Sequence, residues 1–169
     1  MPGAGKSTVG VVLAKKLSLA FVDTDILIQA RRGRSLQQIL DSDGYRVLRQ
    51  LEEEEILHLQ AENSVIATGG SAVYSAAAME HLQRISTIVF LDLPYAAICR
   101  RIHDFDTRGI ACAPEQSFAE LYTERGQLYR TYADVTVCNP DATQDEVADS
   151  IISQLSKMYN AEGNPFPSA

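Results

Sequence analysis

Apolar residues along the chain alternate between helical spacing and short apolar runs. Residues 7–17 have the spacing of a buried helix, and the run at 19–22 predicts a strand. The same alternation predicts further strands over 64–68, 87–93 and 134–138, and further helices over 76–83, 95–102 and 144–159. Strands that are apolar on both faces need cover on both sides, so the order predicts an α/β three-layer sandwich with a central parallel sheet.

Two segments interrupt this order. Residues 31–60 predict a helical insert, in which Ser35 and Gln38 have the spacing of a capping box. Residues 103–116 are polar and irregular, which predicts a mobile surface lid. Another capping signal at Ser117 predicts that the next helix begins directly after the lid.

Length and composition bound the class of protein. The chain has 169 residues and a net charge of −7, values typical of a soluble domain that buries its own core. We expect one domain over residues 1–160 and a disordered tail over 161–169. The acidic balance argues against a nucleic-acid partner, because binding to nucleic acid requires clustered lysine and arginine.

Cysteine usage and hydropathy bear on the compartment. Cys99, Cys112 and Cys138 are odd in number and contain no CxxC pair, which favours free thiols in a reducing environment. No apolar run approaches the ~20 residues of a membrane span, and the N-terminus lacks a signal-peptide pattern. We expect a cytoplasmic protein without a membrane partner, and a monomer.

A glycine-rich loop opens the first predicted helix, with the sequence Gly3-Ala4-Gly5-Lys6-Ser7-Thr8. Glycines let successive N–H groups curl toward phosphate oxygens, and the helix N-terminus adds positive partial charge. In this order Lys6 would reach the β- and γ-phosphates and the Ser7 hydroxyl would bind Mg²⁺. The loop therefore predicts a nucleotide site, although a plain glycine turn before a helix has the same start.

The loop departs from the full G-x-x-x-x-G-K-[ST] motif at its beginning. The first glycine of the motif would fall one residue before Met1, and no strand precedes the loop in this sequence. We expect that the natural chain starts upstream and that Met1 is internal. The alternative is a truncated product that folds poorly and could be inactive.

Two carboxylates follow the first predicted strand, at its carboxyl end, where open α/β sheets bind ligands. Asp23 could hold the Mg²⁺ shell while Asp25 orients or deprotonates a hydroxyl, or either could simply cap the next helix. Asp92 is a rival metal residue after another apolar run. We interpret Asp92 instead as a strand end, because Leu93-Pro94 follows where P-loop ATPases place a catalytic glutamate.

Arginines occupy unusual positions for charged side chains. Arg125 falls on the inward apolar stripe of its helix, so it needs either a structural carboxylate or an anionic ligand. Arg49 lies three residues before Glu52, which could hold its guanidinium. Arg108 is the basic residue of the predicted lid and could deliver charge to a transferring phosphoryl group, or could be freely solvated.

Two adjacent glycines, Gly69 and Gly70, end another predicted strand. They permit close approach of the backbone to a ligand, although a tight turn explains them almost as well. The histidines have no ligand-like spacing, and we interpret them as surface or structural residues.

Together these motifs resemble the shikimate kinase family over nearly the whole chain. The matching segments are the phosphate loop, Phe21-Val-Asp-Thr-Asp25, Leu48-Arg49-Gln-Leu-Glu52, Ala67-Thr-Gly-Gly70, Thr107-Arg108, Glu124-Arg125 with Leu128-Tyr129, and Ala133-Asp134. The resemblance implies a P-loop fold like that of nucleoside monophosphate kinases. It also implies ATP-dependent phosphorylation of the 3-hydroxyl of shikimate, with Mg²⁺, in aromatic amino-acid biosynthesis.

The resemblance also implies residue roles. Residues 3–8 and Arg101 would bind ATP, with Arg101 near adenine and Arg108 acting from the lid. Asp25 would contact the substrate hydroxyls, Arg49 and Arg125 would hold its carboxylate, and Gly69 and Gly70 would line its pocket. Ser7 and Asp23 would serve the metal. Lys6, Asp25 and Arg108 would carry the catalysis.

Departures from the family pattern leave the acceptor open. The third glycine of the family is Ser71 here, its Arg-Pro-Leu-Leu lid reads Arg108-Gly-Ile-Ala111, and an aromatic residue is replaced by Leu48. The alternatives are a kinase for another small hydroxylated carboxylate such as homoserine, and a nucleotide- or metabolite-binding homologue that does not catalyse.

Overall fold

The computed structural model describes residues 1–102, 110–113, 115–161 and 163. The helices are α1 (Lys6–Lys16), α2 (Thr24–Arg32), α3 (Leu36–Leu57), α4 (Ala76–Ile85), α5 (Tyr95–Arg101), α6 (Phe118–Tyr132) and α7 (Gln144–Ala161). The strands are β1 (Ala20–Asp23), β2 (Ser64–Ala67), β3 (Val89–Leu91) and β4 (Val135–Val137), and a short 3₁₀ turn covers Ala72–Tyr74.

The strands pair in parallel, as the sequence predicts. β1 pairs with β2, with Asp23 opposite Ala67, and β3 pairs with β4, with Leu91 opposite Val137. The class of helices packed on parallel strands is thus confirmed. Within the described residues the strands form two parallel pairs instead of one continuous sheet, and residues of both β2 and β3, such as Ile66 and Val89, line an apolar cavity.

Apolar side chains gather in three clusters. The largest joins α1, β3, β4, α5 and α7, and includes Val9, Leu91 and Ile151. A second lies around α4 and the 3₁₀ turn. The third, which we call the insert cluster, consists of the buried residues Ile28, Ile39, Leu48, Leu51 and Ala111. Ala111 belongs to the predicted lid, so the end of that segment packs against the insert.

The helical insert begins later than residue 31, because α2 runs on to Arg32 and ends at Gly33 in the left-handed region, with φ 62°. α3 then follows the predicted capping box, in which Ser35 and Gln38 each accept a hydrogen bond from the other's backbone N–H. α3 bends at Gly44, whose φ of 84° interrupts the helix.

Some predictions fall outside the described residues. Most of the predicted lid, residues 103–109 and 114, lies outside them, as does nearly all of the predicted tail after residue 161. In the part of the chain that is described, no helix combines the length and apolar character needed to cross a membrane.

The capping box that begins α6 gives a stability prediction. Ser117 accepts a hydrogen bond from the N–H of Glu120, whose carboxylate accepts one from the N–H of Ser117. We expect Ser117→Ala to lower the free energy of unfolding by ~1 kcal/mol, because the N–H of Glu120 loses its acceptor. Thermal unfolding is the measurement. The control is Ser153→Ala, on the exposed face of α7, which should leave the Tm unchanged or slightly raised.

Candidate active site

The phosphate loop has the backbone that its glycines predict. Gly5 caps α1 in the left-handed region, with φ 91° and ψ 19°, and offers no side-chain cap. Gly3 also has a positive φ, of 72°, and a Cβ there would lie 2.7 Å from Ile102 Cγ1. The N–H groups of the first turn of α1 are therefore directed at an open cavity, which suits an anion.

That cavity has a volume of ≈ 500 Å³ and forms the cleft of the candidate site. Its lining joins the phosphate loop to the predicted acceptor residues, including Lys6, Asp25, Gly70 and Arg125. Lys6 donates a hydrogen bond from Nζ to the carbonyl oxygen of Met1, 3.1 Å away. Burial lowers the pKa of Lys6 and nearby Arg125 lowers it further, while the carboxylates around it act in the opposite direction.

Ser7 and Asp23 meet at the mouth of the loop, where the sequence predicts the metal ligands. The Ser7 hydroxyl donates to Asp23 Oδ2 over 2.6 Å, and Asp23 is 8% exposed. Asp23 Oδ1 also caps α2, accepting from the N–H of Asp25 at 3.0 Å. The capping interpretation is thus correct for Asp23, and its second oxygen is still directed to Ser7.

This pair fits Mg²⁺. Magnesium in nucleotide sites takes one or two protein oxygen ligands, with phosphates and water completing the shell. A hydroxyl and a carboxylate beside a phosphate-binding helix end supply that kind of donor set.

Asp25 lies deeper in the same cleft. Its Oδ1 is buried without a hydrogen-bond partner among the described residues. Burial raises its pKa, and Lys6 counteracts that effect. A buried carboxylate oxygen without a donor is ready to accept from a ligand hydroxyl.

Arg125 enters the cleft from α6 and is only 1% exposed. Its Nη2 donates to the carbonyl oxygen of Ala111 over 2.7 Å, and its Nε lies 3.5 Å from the Tyr74 hydroxyl. Gly70 lies against it, since a Cβ at that position would be 3.0 Å from Arg125 Nη1. The inward position predicted for Arg125 is therefore occupied, and its hydrogen-bond partners here are uncharged.

Arg49, from α3, reaches the same carbonyl oxygen. Its Nη2 donates to Ala111 over 3.2 Å, and its guanidinium carbon lies 3.7 Å from the ring centre of Tyr74. Its Nε is buried without a hydrogen-bond partner among the described residues. Two guanidinium groups thus converge beside one backbone carbonyl.

The prediction that Glu52 holds the Arg49 guanidinium is wrong for this structure. Glu52 is buried, and its Oε2 accepts a hydrogen bond from the Ser71 hydroxyl instead of holding Arg49. Ser71 can donate this hydrogen bond because the turn after Gly70 brings its hydroxyl to the face of α3 that carries Glu52. Burial raises the pKa of Glu52 to about 7, even though the Ser71 hydrogen bond lowers it.

Gly69 and Gly70 permit a turn, and they also let neighbouring side chains approach the backbone closely. A Cβ at Gly69 would overlap Glu52 Oε1 and lie 2.7 Å from Asp25 Oδ1. The Gly69 N–H donates to the buried Thr24 hydroxyl over 3.2 Å, and the Gly70 carbonyl accepts from Tyr129 over 2.6 Å. These bonds fix both glycines, and Gly70 lines the cleft.

Sequence reasoning missed Tyr74 and the roles of Ser71 and the Ala111 carbonyl. Tyr74 follows a double glycine by four residues, and no spacing rule links it to the arginines. The signal that was present is Ser71 itself, a polar residue in a segment that is otherwise small or apolar.

The structure describes two of three further residues considered from the sequence. Arg101 lies beside the phosphate loop and donates to the carbonyl of Pro140 over 2.8 Å. Asp92 forms a salt bridge with Arg130 at 2.9 Å, which agrees with a strand-end role. Arg108 lies outside the described residues. Cys99, Cys112 and Cys138 are free, as predicted.

A phosphate-binding helix end that faces a buried carboxylate and paired arginines defines the class of P-loop kinases for small molecules. Comparison with known proteins narrows this class. A family model described as shikimate kinase matches residues 2–156. The chain therefore belongs to the shikimate kinase family, and it is a kinase that phosphorylates a hydroxyl group.

Individual relatives agree. The shikimate kinase of Mycobacterium avium (strain 104) is 35% identical over 158 residues, which span 92% of this chain and 89% of that protein. A solved shikimate kinase from Acinetobacter baumannii in complex with shikimate has a TM-score of 0.84 at 29% identity, covering 92% of this chain and 89% of that one. The solved shikimate kinase from Aquifex aeolicus has a TM-score of 0.80 at 33% identity, covering 97% of this chain and 96% of that one.

The stacking of Arg49 on Tyr74 gives a prediction for the acceptor site. We expect Tyr74→Ala to raise the KM for the hydroxyl acceptor about tenfold, the equivalent of the ~1.4 kcal/mol within reach of a desolvated cation–π contact. The KM for ATP should change little. Tyr74→Phe keeps the ring and should stay near the wild-type value. Steady-state kinetics with each substrate varied separately is the measurement, and equal KM values in the Ala and Phe variants would contradict the stacking role.

Proposed function

We propose that the protein transfers the γ-phosphoryl group of ATP to the 3-hydroxyl of shikimate, in aromatic amino-acid biosynthesis. The observation that carries the proposal is the buried atom Asp25 Oδ1, which has no hydrogen-bond partner among the described residues, in a cleft that the Arg125 guanidinium also lines. One is an acceptor for a hydroxyl and the other a donor for a carboxylate. A small acid that also bears hydroxyl groups satisfies both, and the relatives named for shikimate support that acid.

The phosphate end of the cleft would hold ATP. The N–H groups of residues 3–8 would cradle the β- and γ-phosphates, and the Lys6 ammonium would neutralise charge on them. Ser7 and Asp23 would hold Mg²⁺, which when bound neutralises developing charge on the transferring phosphoryl group. Arg101 would lie near adenine, which agrees with its position beside the loop.

The acceptor end would hold the organic acid. Arg125 and Arg49 would donate to its carboxylate, and Gly69 and Gly70 would line its pocket. Asp25 would accept a hydrogen bond from the reacting hydroxyl and orient its oxygen toward the γ-phosphate. Arg108 would add positive charge from the lid. In-line transfer then depends mostly on placement and electrostatics.

Three properties of the whole molecule are also part of the proposal. Free cysteines support a reducing compartment, and we propose the cytoplasm. The net charge of −7 supports small-molecule partners over nucleic acid. We propose a monomer.

A coupled assay of ADP release tests the proposal, with shikimate, homoserine and buffer compared at equal ATP. Turnover with shikimate alone supports it. Faster turnover with homoserine than with shikimate would show that the acceptor is another hydroxylated carboxylate. ATP binding without turnover would indicate a homologue that does not catalyse.

Arg125 gives the sharper test. We expect Arg125→Ala to raise the KM for shikimate about a hundredfold, because the carboxylate loses a charge-assisted hydrogen bond worth ~1.5–3 kcal/mol. The KM for ATP should change far less. Arg130→Ala is the matched control, since Arg130 lies on the same helix and pairs with Asp92 outside the cleft. Equal effects of Arg125→Ala on both KM values would remove the carboxylate assignment.

A further inference from the structure

Two helices hold the glycine pair that follows β2. The parallel register of β1 and β2 brings the start of α2 beside these glycines. There the fully buried Thr24 hydroxyl accepts a hydrogen bond from the Gly69 N–H over 3.2 Å. From α6, the Tyr129 hydroxyl donates to the Gly70 carbonyl over 2.6 Å. The pair is therefore anchored to α2 at one residue and to α6 at the next.

The same glycines contact the two charged groups assigned to the acceptor. A Cβ at Gly69 would lie 2.7 Å from Asp25 Oδ1, and a Cβ at Gly70 would lie 3.0 Å from Arg125 Nη1. Asp25 is the group proposed to accept from the reacting hydroxyl, and Arg125 is a group proposed to hold the carboxylate. The glycine pair thus contacts the groups at both ends of the acceptor site.

Each anchor lies on the helix that carries one of these charged groups. Thr24 directly precedes Asp25 on α2, and Tyr129 lies four residues after Arg125 on α6. Residues four apart on a helix share a face, which explains why both side chains of α6 reach Gly70. The two hydrogen bonds therefore connect the helix of the carboxylate to the helix of the guanidinium through the glycines.

Tyr129 has a ring and a hydroxyl that suit an anchor. The ring packs on Phe90 of β3, with the ring centroids 5.1 Å apart, so a contact with the sheet orients the hydroxyl. Burial raises the pKa of Tyr129 to about 12. The hydroxyl therefore remains protonated, and a donor, at neutral pH.

We propose that Tyr129 and Thr24 are positioning residues for the acceptor: their hydroxyl groups hold the glycine pair in place, and the glycine pair sets the separation of Asp25 and Arg125 across the cleft. The inference rests on the proposed function for the roles of those two charged groups. It gives a role to the tyrosine of the Leu128-Tyr129 segment. An acid whose hydroxyl and carboxylate do not match this separation is held poorly at one end.

Tyr129→Phe is the first test, because it removes the hydroxyl and keeps the ring on Phe90. We expect the KM for the phosphoryl acceptor to rise about tenfold, since a looser glycine pair lets the two charged groups leave the geometry that the acceptor needs. The KM for ATP should change little, because ATP would bind at the phosphate loop. Steady-state kinetics with each substrate varied separately is the measurement, with whichever acid the ADP-release assay identifies.

Tyr122→Phe is the matched control. Tyr122 lies on the same helix, and its hydroxyl also donates to a backbone carbonyl, that of Leu93, over 2.9 Å. Neither is among the described residues that line the cleft. Both variants lose the same kind of hydrogen bond, so a purely structural role predicts similar losses in Tm and similar KM values. A KM for the phosphoryl acceptor that is no higher in Tyr129→Phe than in Tyr122→Phe overturns the inference.

Thr24 allows a second test at the other anchor. Thr24→Val keeps the branched shape but removes the hydroxyl to which the Gly69 N–H donates, so it should raise the same KM as Tyr129→Phe does. Thr24→Ser keeps a hydroxyl and should stay near the wild-type value. Equal KM values in the Val and Ser variants overturn the inference, even if Tyr129→Phe is too unstable to assay.

A crystal structure of Tyr129→Phe separates this inference from the proposed function, because it needs no turnover. A Gly70 backbone that has moved relative to Arg125 supports the inference, whichever acid the enzyme phosphorylates. A Gly70 that remains against Arg125 Nη1 overturns it, even if shikimate proves to be the substrate.

Discussion

The candidate site depends on keeping guanidinium groups buried beside partners that do not neutralise them. Arg125 is almost completely buried, yet it donates to a carbonyl and lies near a phenol. Arg49 shares that carbonyl and stacks on the same tyrosine. A buried guanidinium group whose hydrogen bonds reach only uncharged partners is incompletely compensated, and an anionic ligand would compensate it further. Affinity for a carboxylate therefore follows from the packing around the arginines.

That packing requires elements from distant parts of the sequence. α3 supplies Arg49, α6 supplies Arg125, and the segment after the lid supplies the Ala111 carbonyl that both contact. The Ala111 side chain is buried in the insert cluster. The point at which the two guanidinium groups meet is therefore set jointly by α3, α6 and the chain around Ala111.

Much of the fold was predictable because its signals are local. Apolar spacing located every strand within a few residues, and Ser35 and Ser117 marked two helix starts through capping boxes. The glycine loop and the inward position of Arg125 could also be predicted from the sequence. The partner of Glu52 was not, because a rule for residues three apart on a helix favours Arg49 and takes no account of Ser71, which comes from another segment. Tyr74 was missed for the same reason.

Two buried residues, Leu48 and Ala111, belong to the same packing cluster behind the arginines. Leu48 directly precedes Arg49 on α3, and Ala111 supplies the carbonyl to which both guanidinium groups donate. Their exposure is only 1% and 3%. Apolar packing of these two residues therefore fixes the position of that carbonyl relative to Arg49. An acceptor held by the arginines would be placed by the apolar contacts behind them as well as by the guanidinium groups themselves.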